Sequence, residues 1–204
     1  MEPIDDSLRQ YIAEKILPQY QDYDKGHRTD HILSVIENSL DIAGDYDVNI
    51  EMVYVIAAYH DIGMRYGRKD HHLTSGKVLA EDNNLREWFD ENQLEIMKEA
   101  IEDHRASNDY EPRSLYGKII SEADRVIDAE TILYRTMEYG KARFPDYSFD
   151  EQAERVYKHV KEKYGEHGYL KLWLKTGKNE KGLSELRELL KDKDKFINLC
   201  GKYY

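Results

Sequence analysis

Cysteine is almost missing: Cys200, near the end of the 204 residues, is the only one. A single thiol excludes disulfides within the chain and every cysteine-based metal site. Long apolar runs are missing too, since none approaches the roughly 18 residues that would span a bilayer. Basic residues are in deficit, 30 Lys+Arg against 41 Asp+Glu, for a net charge of -11. That balance argues against a general nucleic-acid binder, which normally shows a basic face. It leaves an anionic substrate open, because a metal and a few local cations can outweigh a distant field. The N-terminal residues lack the basic-then-apolar layout of a signal peptide, so the expected setting is soluble, reducing and cytoplasmic. No repeat stands out, and no stretch reads convincingly as a strand.

What the chain does have is one intensely apolar stretch. Eight apolar or aromatic residues run unbroken from Met52 to Tyr59 and end in the adjacent pair His60-Asp61. Burying that pair is costly unless something satisfies it, and Asp61 in particular must be paired or coordinate a metal. The Val and Ile content allows a short buried strand. Ala57-Ala58 and the stop residue Gly63, with helical patterns on both sides, favour a helix over residues 50–61.

The rest reads as helix after helix. Residues 4–17 form a first helix ended by Pro18; Thr29 or Asp30 caps a second that runs to Ala43 and stops at Gly44. Further helices are expected over 71–83, 92–105, 114–128, 130–139, 149–163 and 182–199, with Gly- and Pro-bearing breaks between them. The charge run Lys191-Asp192-Lys193-Asp194-Lys195 reads as a solvated helix face. At this length the chain is one large domain, or one with an extension. The expected division is a first domain over 1–145 and a C-terminal helical extension over 146–204 packing on it. The fold class is all-α.

The histidines carry the functional reading. Six of the eight lie between residues 27 and 104. His104 shares a face with Met97, Ala100 and Ile101, and Asp124 one with Tyr116 and Ile120. His72 lies with Gly76 and Leu79, while His71 points nearer Val78 and Asp82. His31 sits at the edge of the arc made by Ile32, Val35, Ser39 and Ile42. A lone histidine on an apolar face is more often a hydrogen-bonded core residue than a ligand, and a lone buried aspartate more often caps or pairs. Four helices repeating the pattern around His60-Asp61 reverse that expectation.

The order His31, His60-Asp61, Asp124 resembles the signature of the HD-domain superfamily of metal-dependent phosphohydrolases. The contexts are similar as well: His31-Ile-Leu-Ser-Val, Tyr59-His60-Asp61-Ile-Gly and Ser121-Glu-Ala-Asp124-Arg-Val. His72-Leu-Thr-Ser-Gly76 and Ala100-Ile-Glu-Asp-His104 resemble two auxiliary positions of the family. The resemblance covers roughly residues 25–140, and no known motif places residues 145–204. It implies a helical bundle with His31, His60, Asp61 and Asp124 as metal ligands. Two imidazoles and two carboxylates suit Mn, Fe, Co, Ni or Zn, and in the family also Mg, better than Ca.

Four protein ligands on an octahedral ion leave room for water and a phosphate oxygen, with the ion activating the water. The resemblance then implies that Asp61 also orients the attacking water, and that His72 and His104 contact the phosphate, protonate the leaving oxygen or hold a second ion. Family members built for two metals often carry adjacent histidines at the position of His104; Arg105 stands there instead, which favours one ion. Lys69, with Arg68 and Arg65, precedes His72 and is a candidate phosphate ligand against the alternative of solvated loop charge. Lys118 and Asp128 are further substrate-binding candidates, each with a bland alternative: an exposed helix lysine, and an acceptor for Arg125 or Arg135. His27, four residues before His31, is read as out of register, and His159 and His167 as surface residues.

The expected function is hydrolysis of a small phosphorylated metabolite, first of all a nucleotide. No long nucleic acid and no membrane are expected as partners, and a homodimer is left open, since Leu183, Leu186, Leu190 and Ile197 could close a core or an interface. Two alternatives stand beside this. One is a di-iron oxygenase of the same superfamily, against which the short interval from Asp61 to His72 weighs. The other is a non-catalytic metal- or nucleotide-binding module.

Overall fold

The buried stretch at the centre of the sequence is a helix. In the computed structural model, which describes residues 3–21, 29–108, 110–125, 127–174 and 177–204, α3 (Ile50–Tyr59) is buried at every position from Met52 to Tyr59. A helix that is apolar all round belongs at the middle of a core. Asn49 starts it, its side-chain oxygen accepting from the amides of Glu51 and Met52 at 2.9 and 3.1 Å. The described residues form helices and turns without a strand.

Packing divides the chain into two compact units, residues 1–124 and 125–204. In the first, α3 is surrounded by α2 (Thr29–Ala43), α4 (His71–Glu81), α5 (Glu91–Asp103) and α6 (Leu115–Ala123). The N-terminal segment begins as α1 (Asp6–Tyr11), widens into a π turn, Ile12–Ile16, and then tightens into a 3₁₀ turn, Leu17–Tyr20. Its buried Leu8, Ile12, Ile16 and Tyr20 join the same core as α3. In the second unit, α7 (Ala129–Arg143), α8 (Phe149–Tyr164), α9 (Lys178–Lys191) and α10 (Lys193–Cys200) pack on one another.

Two expected helices are broken, both by an aspartate acting as a cap. The helix expected over 114–128 ends at Ala123, and Asp128 caps α7 by accepting from the Thr131 amide at 2.7 Å. The helix expected over 182–199 is two, because Asp192 accepts from the Lys195 amide at 2.9 Å and starts α10. The charge run is therefore a break rather than a helix face, and Phe196 and Cys200 take the buried positions instead of Ile197. Leu183, Leu186 and Leu190 are buried as expected.

Candidate metal centre

Six donor side chains meet in the first unit, and each sits at a helix end. His31 lies in the first turn of α2 and His71 is the first residue of α4. His60, His104 and Asp124 are the residues that close α3, α5 and α6, and Asp61 follows His60 directly. End positions let donors from five helices converge without interrupting any apolar stripe. Three of those ends are C-termini, whose unsatisfied carbonyls favour a cation.

The donors form two trios. His31, His60 and Asp124 offer ligand atoms within 4.8 Å of one another, and so do Asp61, His71 and His104. Asp61 spans both. Its Oδ2 lies 3.4 Å from His60 Nε2 and 3.8 Å from His31 Nε2. Its Oδ1 lies 3.3 Å from His71 Nε2 and 3.7 Å from His104 Nε2. Asp124 Oδ1 closes the first trio, 3.2 Å from His31 Nε2 and 3.7 Å from His60 Nε2.

Backbone carbonyls decide which ring nitrogen faces the centre. His60 Nδ1 donates to Ala57 at 2.8 Å, His104 Nδ1 to Ile101 at 2.6 Å and His71 Nδ1 to Arg68 at 2.9 Å. With Nδ1 so committed, each ring turns Nε2 toward the centre, the arrangement typical of metal-ligating histidines. Two consequences fit a cation. His60 Nε2 is buried with no hydrogen-bond partner among the described residues. His71 and His104 bring their Nε2 atoms to 3.3 Å, so the two rings aim at one point. The donor set, imidazole and carboxylate with no thiolate, suits first-row divalent ions.

Charge is finely divided here. Burial alone would depress His60, but the neighbouring Asp61 and Asp124 carboxylates hold its pKa up at about 9. Burial and the cationic His60 push His104 down to about 4. Burial would raise Asp124, yet the hydrogen bond from His31 and the charge of His60 hold it well below the usual carboxylate range. Without metal, a proton on His60 thus occupies the place between carboxylates that a cation would take.

Comparison with known proteins identifies the family. Residues 28–128 match the family model of the HD domain. This is an HD-domain protein. A crystal structure of a predicted HD superfamily hydrolase from an uncultured Thermotogales bacterium aligns with a TM-score of 0.52 at 27% identity. The alignment covers 76% of this chain and 87% of that one. No curated protein matches significantly.

All six donor side chains lie within the matched span. His31, His60, Asp61, Asp124 and His104 are brought together as the sequence suggests. His72 is not: His71 takes the expected place beside His104. His72 turns onto the stripe with Gly76 and Leu79, is buried, and leaves Nδ1 without a partner among the described residues. The pair itself carried the signal, since two adjacent helical residues point about 100° apart and the one on the apolar stripe packs. Lys118 is paired with Glu111 at 2.5 Å. Asp128, expected one turn beyond Asp124 on a shared helix, caps α7 in the second unit instead. Lys69 is exposed on the loop before α4, and its carbonyl accepts from Arg105 Nη1 at 2.8 Å. His159 and His167 are exposed, as expected. His27 lies outside the described residues.

Proposed function

We propose that this HD domain is a metal-dependent phosphohydrolase working with two divalent ions. One would be held by His31, His60 and Asp124, the other by His71 and His104, with Asp61 shared. The observation that carries the reading is the division of Asp61: one oxygen faces each trio. Ions held there would lower the pKa of water and neutralise charge on a phosphoryl group. The chain's own residues supply the rest. The carbonyl-anchored imidazoles stay in fixed tautomers, and neutral His104 keeps its donor pair available across the physiological range. Lys69, beside His71 in sequence and exposed, is proposed to meet the substrate's anionic group. We take that substrate to be a small phosphorylated metabolite, with a nucleotide as the first choice. The likeness to a protein described as an HD superfamily hydrolase supports hydrolysis.

The test is release of phosphate or pyrophosphate from a nucleotide panel by metal-stripped protein resupplied with Mn²⁺, Mg²⁺, Co²⁺, Ni²⁺, Zn²⁺ or Fe²⁺. Turnover that needs metal and disappears in Asp61→Ala is expected, and the product identifies the bond. Silence from every nucleotide and metal, with metal still bound, would remove the substrate class. A second reading rests on the same bridging carboxylate, which would equally suit a di-iron oxygenase. Hydrolysis undiminished under anaerobic conditions excludes oxygen chemistry as its source; iron-dependent oxygen uptake would favour it.

A further inference from the structure

The two halves of this centre are not anchored alike. His60 and His104 donate their Nδ1 protons to Ala57 and Ile101, carbonyls belonging to the same buried helices, α3 and α5, that carry the rings. His71 instead leans on Arg68, a carbonyl in the exposed loop between the 3₁₀ turn Ile62–Tyr66 and α4. That loop turns at Gly67, where φ is 125° and ψ is 144°, a conformation open essentially to glycine alone. The next carbonyl along, Lys69, is gripped by the Arg105 guanidinium at 2.8 Å. Arg105 directly follows His104. A single arginine at the end of α5 therefore ties down the loop segment that orients His71, beside the histidine with which His71 shares its trio.

We propose that Arg105 is a positioning residue for the second ion. It straps the Arg68–Lys69 segment to α5, so that His71 Nε2 is held 3.3 Å from both Asp61 Oδ1 and His104 Nε2. The His31, His60 and Asp124 trio takes no part in this strap and stays built without it. Occupancy of the second position thereby depends on a loop, while the first depends on packed helices. This rests on the two-ion reading above.

Direct metal binding tests it without any substrate. Mn²⁺ titrated into metal-stripped protein, followed by calorimetry and by electron paramagnetic resonance, counts the ions and reports whether two are spin-coupled. Wild type is expected to bind two coupled ions. Arg105→Ala is expected to keep the first ion's affinity and to bind the second about 10- to 100-fold more weakly, the usual range for lost outer-shell support. Arg105→Lys, which can still donate to the same carbonyl, is expected to recover part of the loss. Lys69→Ala, which leaves the carbonyl in place, is expected to bind both ions with wild-type affinity, whatever its effect on substrate. Gly67→Ala perturbs the loop independently, has open space for its Cβ, and is expected to weaken the second ion alone, so the test survives if Arg105→Ala fails to fold. Two ions bound by Arg105→Ala with wild-type affinity would overturn the strap, and so would equal weakening of both. A wild type that binds one ion would overturn the two-ion reading beneath it.

Discussion

His60 must give up a proton to become a ligand. Burial works against its charge, but Asp61 and Asp124 hold its pKa at about 9, while Nδ1 is already committed to Ala57. At pH 7.5 the metal-free protein therefore carries a proton on Nε2, and metal binding must expel it. Calorimetry in buffers of different ionisation enthalpy is expected to show about one proton released per first ion. Affinity is expected to rise about tenfold per pH unit up to about 9 and then level off. Binding with no proton release at pH 7.5 would show that His60 is not ligating. Linkage to folding has opposite signs for the two buried histidines. The raised pKa of His60 stabilises metal-free protein below about 6.5, and that contribution is lost as pH climbs toward 9. The lowered pKa of His104 acts the other way: its proton binds the unfolded chain preferentially, so stability falls as pH drops from about 6.5 to about 4.

The same scale shows what the sequence could reveal. His60-Asp61 was legible because a charged pair behind eight apolar residues demands a partner. His71 was not, because helical periodicity identifies a core-facing stripe, and a donor on the first residue of a helix need not lie on it. Arg105 read as a departure from the histidine-pair pattern; only its contact with the Lys69 carbonyl gives it a task.

At the scale of elements, caps and glycines did most of the positioning. Asn49 and the stop at Gly44 bound α3 and α2 where expected, whereas Asp128 and Asp192 were ambiguous because aspartate serves equally on an exposed helix face and at a helix start. Gly63 belongs to the His-Asp-Ile-Gly run for a steric reason. A Cβ there would meet the His71 carbonyl and the Ser75 amide inside contact distance, and the Gly63 amide donates to Ser75 Oγ at 2.8 Å. Gly63→Ala must push α4, and His71 with it, away from the 3₁₀ turn Ile62–Tyr66. The expected result is a loss of roughly 1–3 kcal/mol in urea unfolding together with weakened binding of the second ion. Unchanged stability and metal binding would show that the turn yields without moving α4.

Tyrosines tie these elements together. Tyr20 donates to the Ala58 carbonyl at 2.8 Å, and Tyr59 and Tyr11 donate to Asp82 Oδ2 at 2.6 and 2.5 Å. Part of the unusual tyrosine content is thus hydrogen-bonded tethering between the N-terminal segment, α3 and the end of α4. Asp82→Ala strands two phenols, one of them on fully buried Tyr59. An unsatisfied buried group costs about 1–3 kcal/mol, so a loss of about 2–4 kcal/mol is expected, against about 1 kcal/mol for Tyr59→Phe. Equal effects of the two variants would mean that Asp82 finds no use beyond Tyr59.

For the whole molecule, a net charge of -11 draws divalent cations and repels anions, so the anionic substrate proposed above would need local positive charge to be captured. The described residues include no helix long and apolar enough to cross a membrane. All six donors lie in the first unit, residues 1–124, and the two tryptophans divide evenly, Trp88 in that unit and Trp173 in the second. Trp88 is also well placed to report, its indole donating to Ser7 Oγ at 3.0 Å and its ring 5.6 Å from Tyr11. Any ligand bound only by the folded state stabilises it by about 2.7 kcal/mol at a hundred times its Kd. With roughly 2–4 °C per kcal/mol for a chain of this size, Mg²⁺ at that concentration is expected to raise the Trp88 transition of a Trp173→Phe variant by about 5–11 °C. Asp61→Ala, which touches both trios, is expected to remove the shift altogether. A shift of the same size in Asp61→Ala would place the stabilising ion elsewhere on the acidic surface, and the six converging donors would then be a folding device without a resident metal.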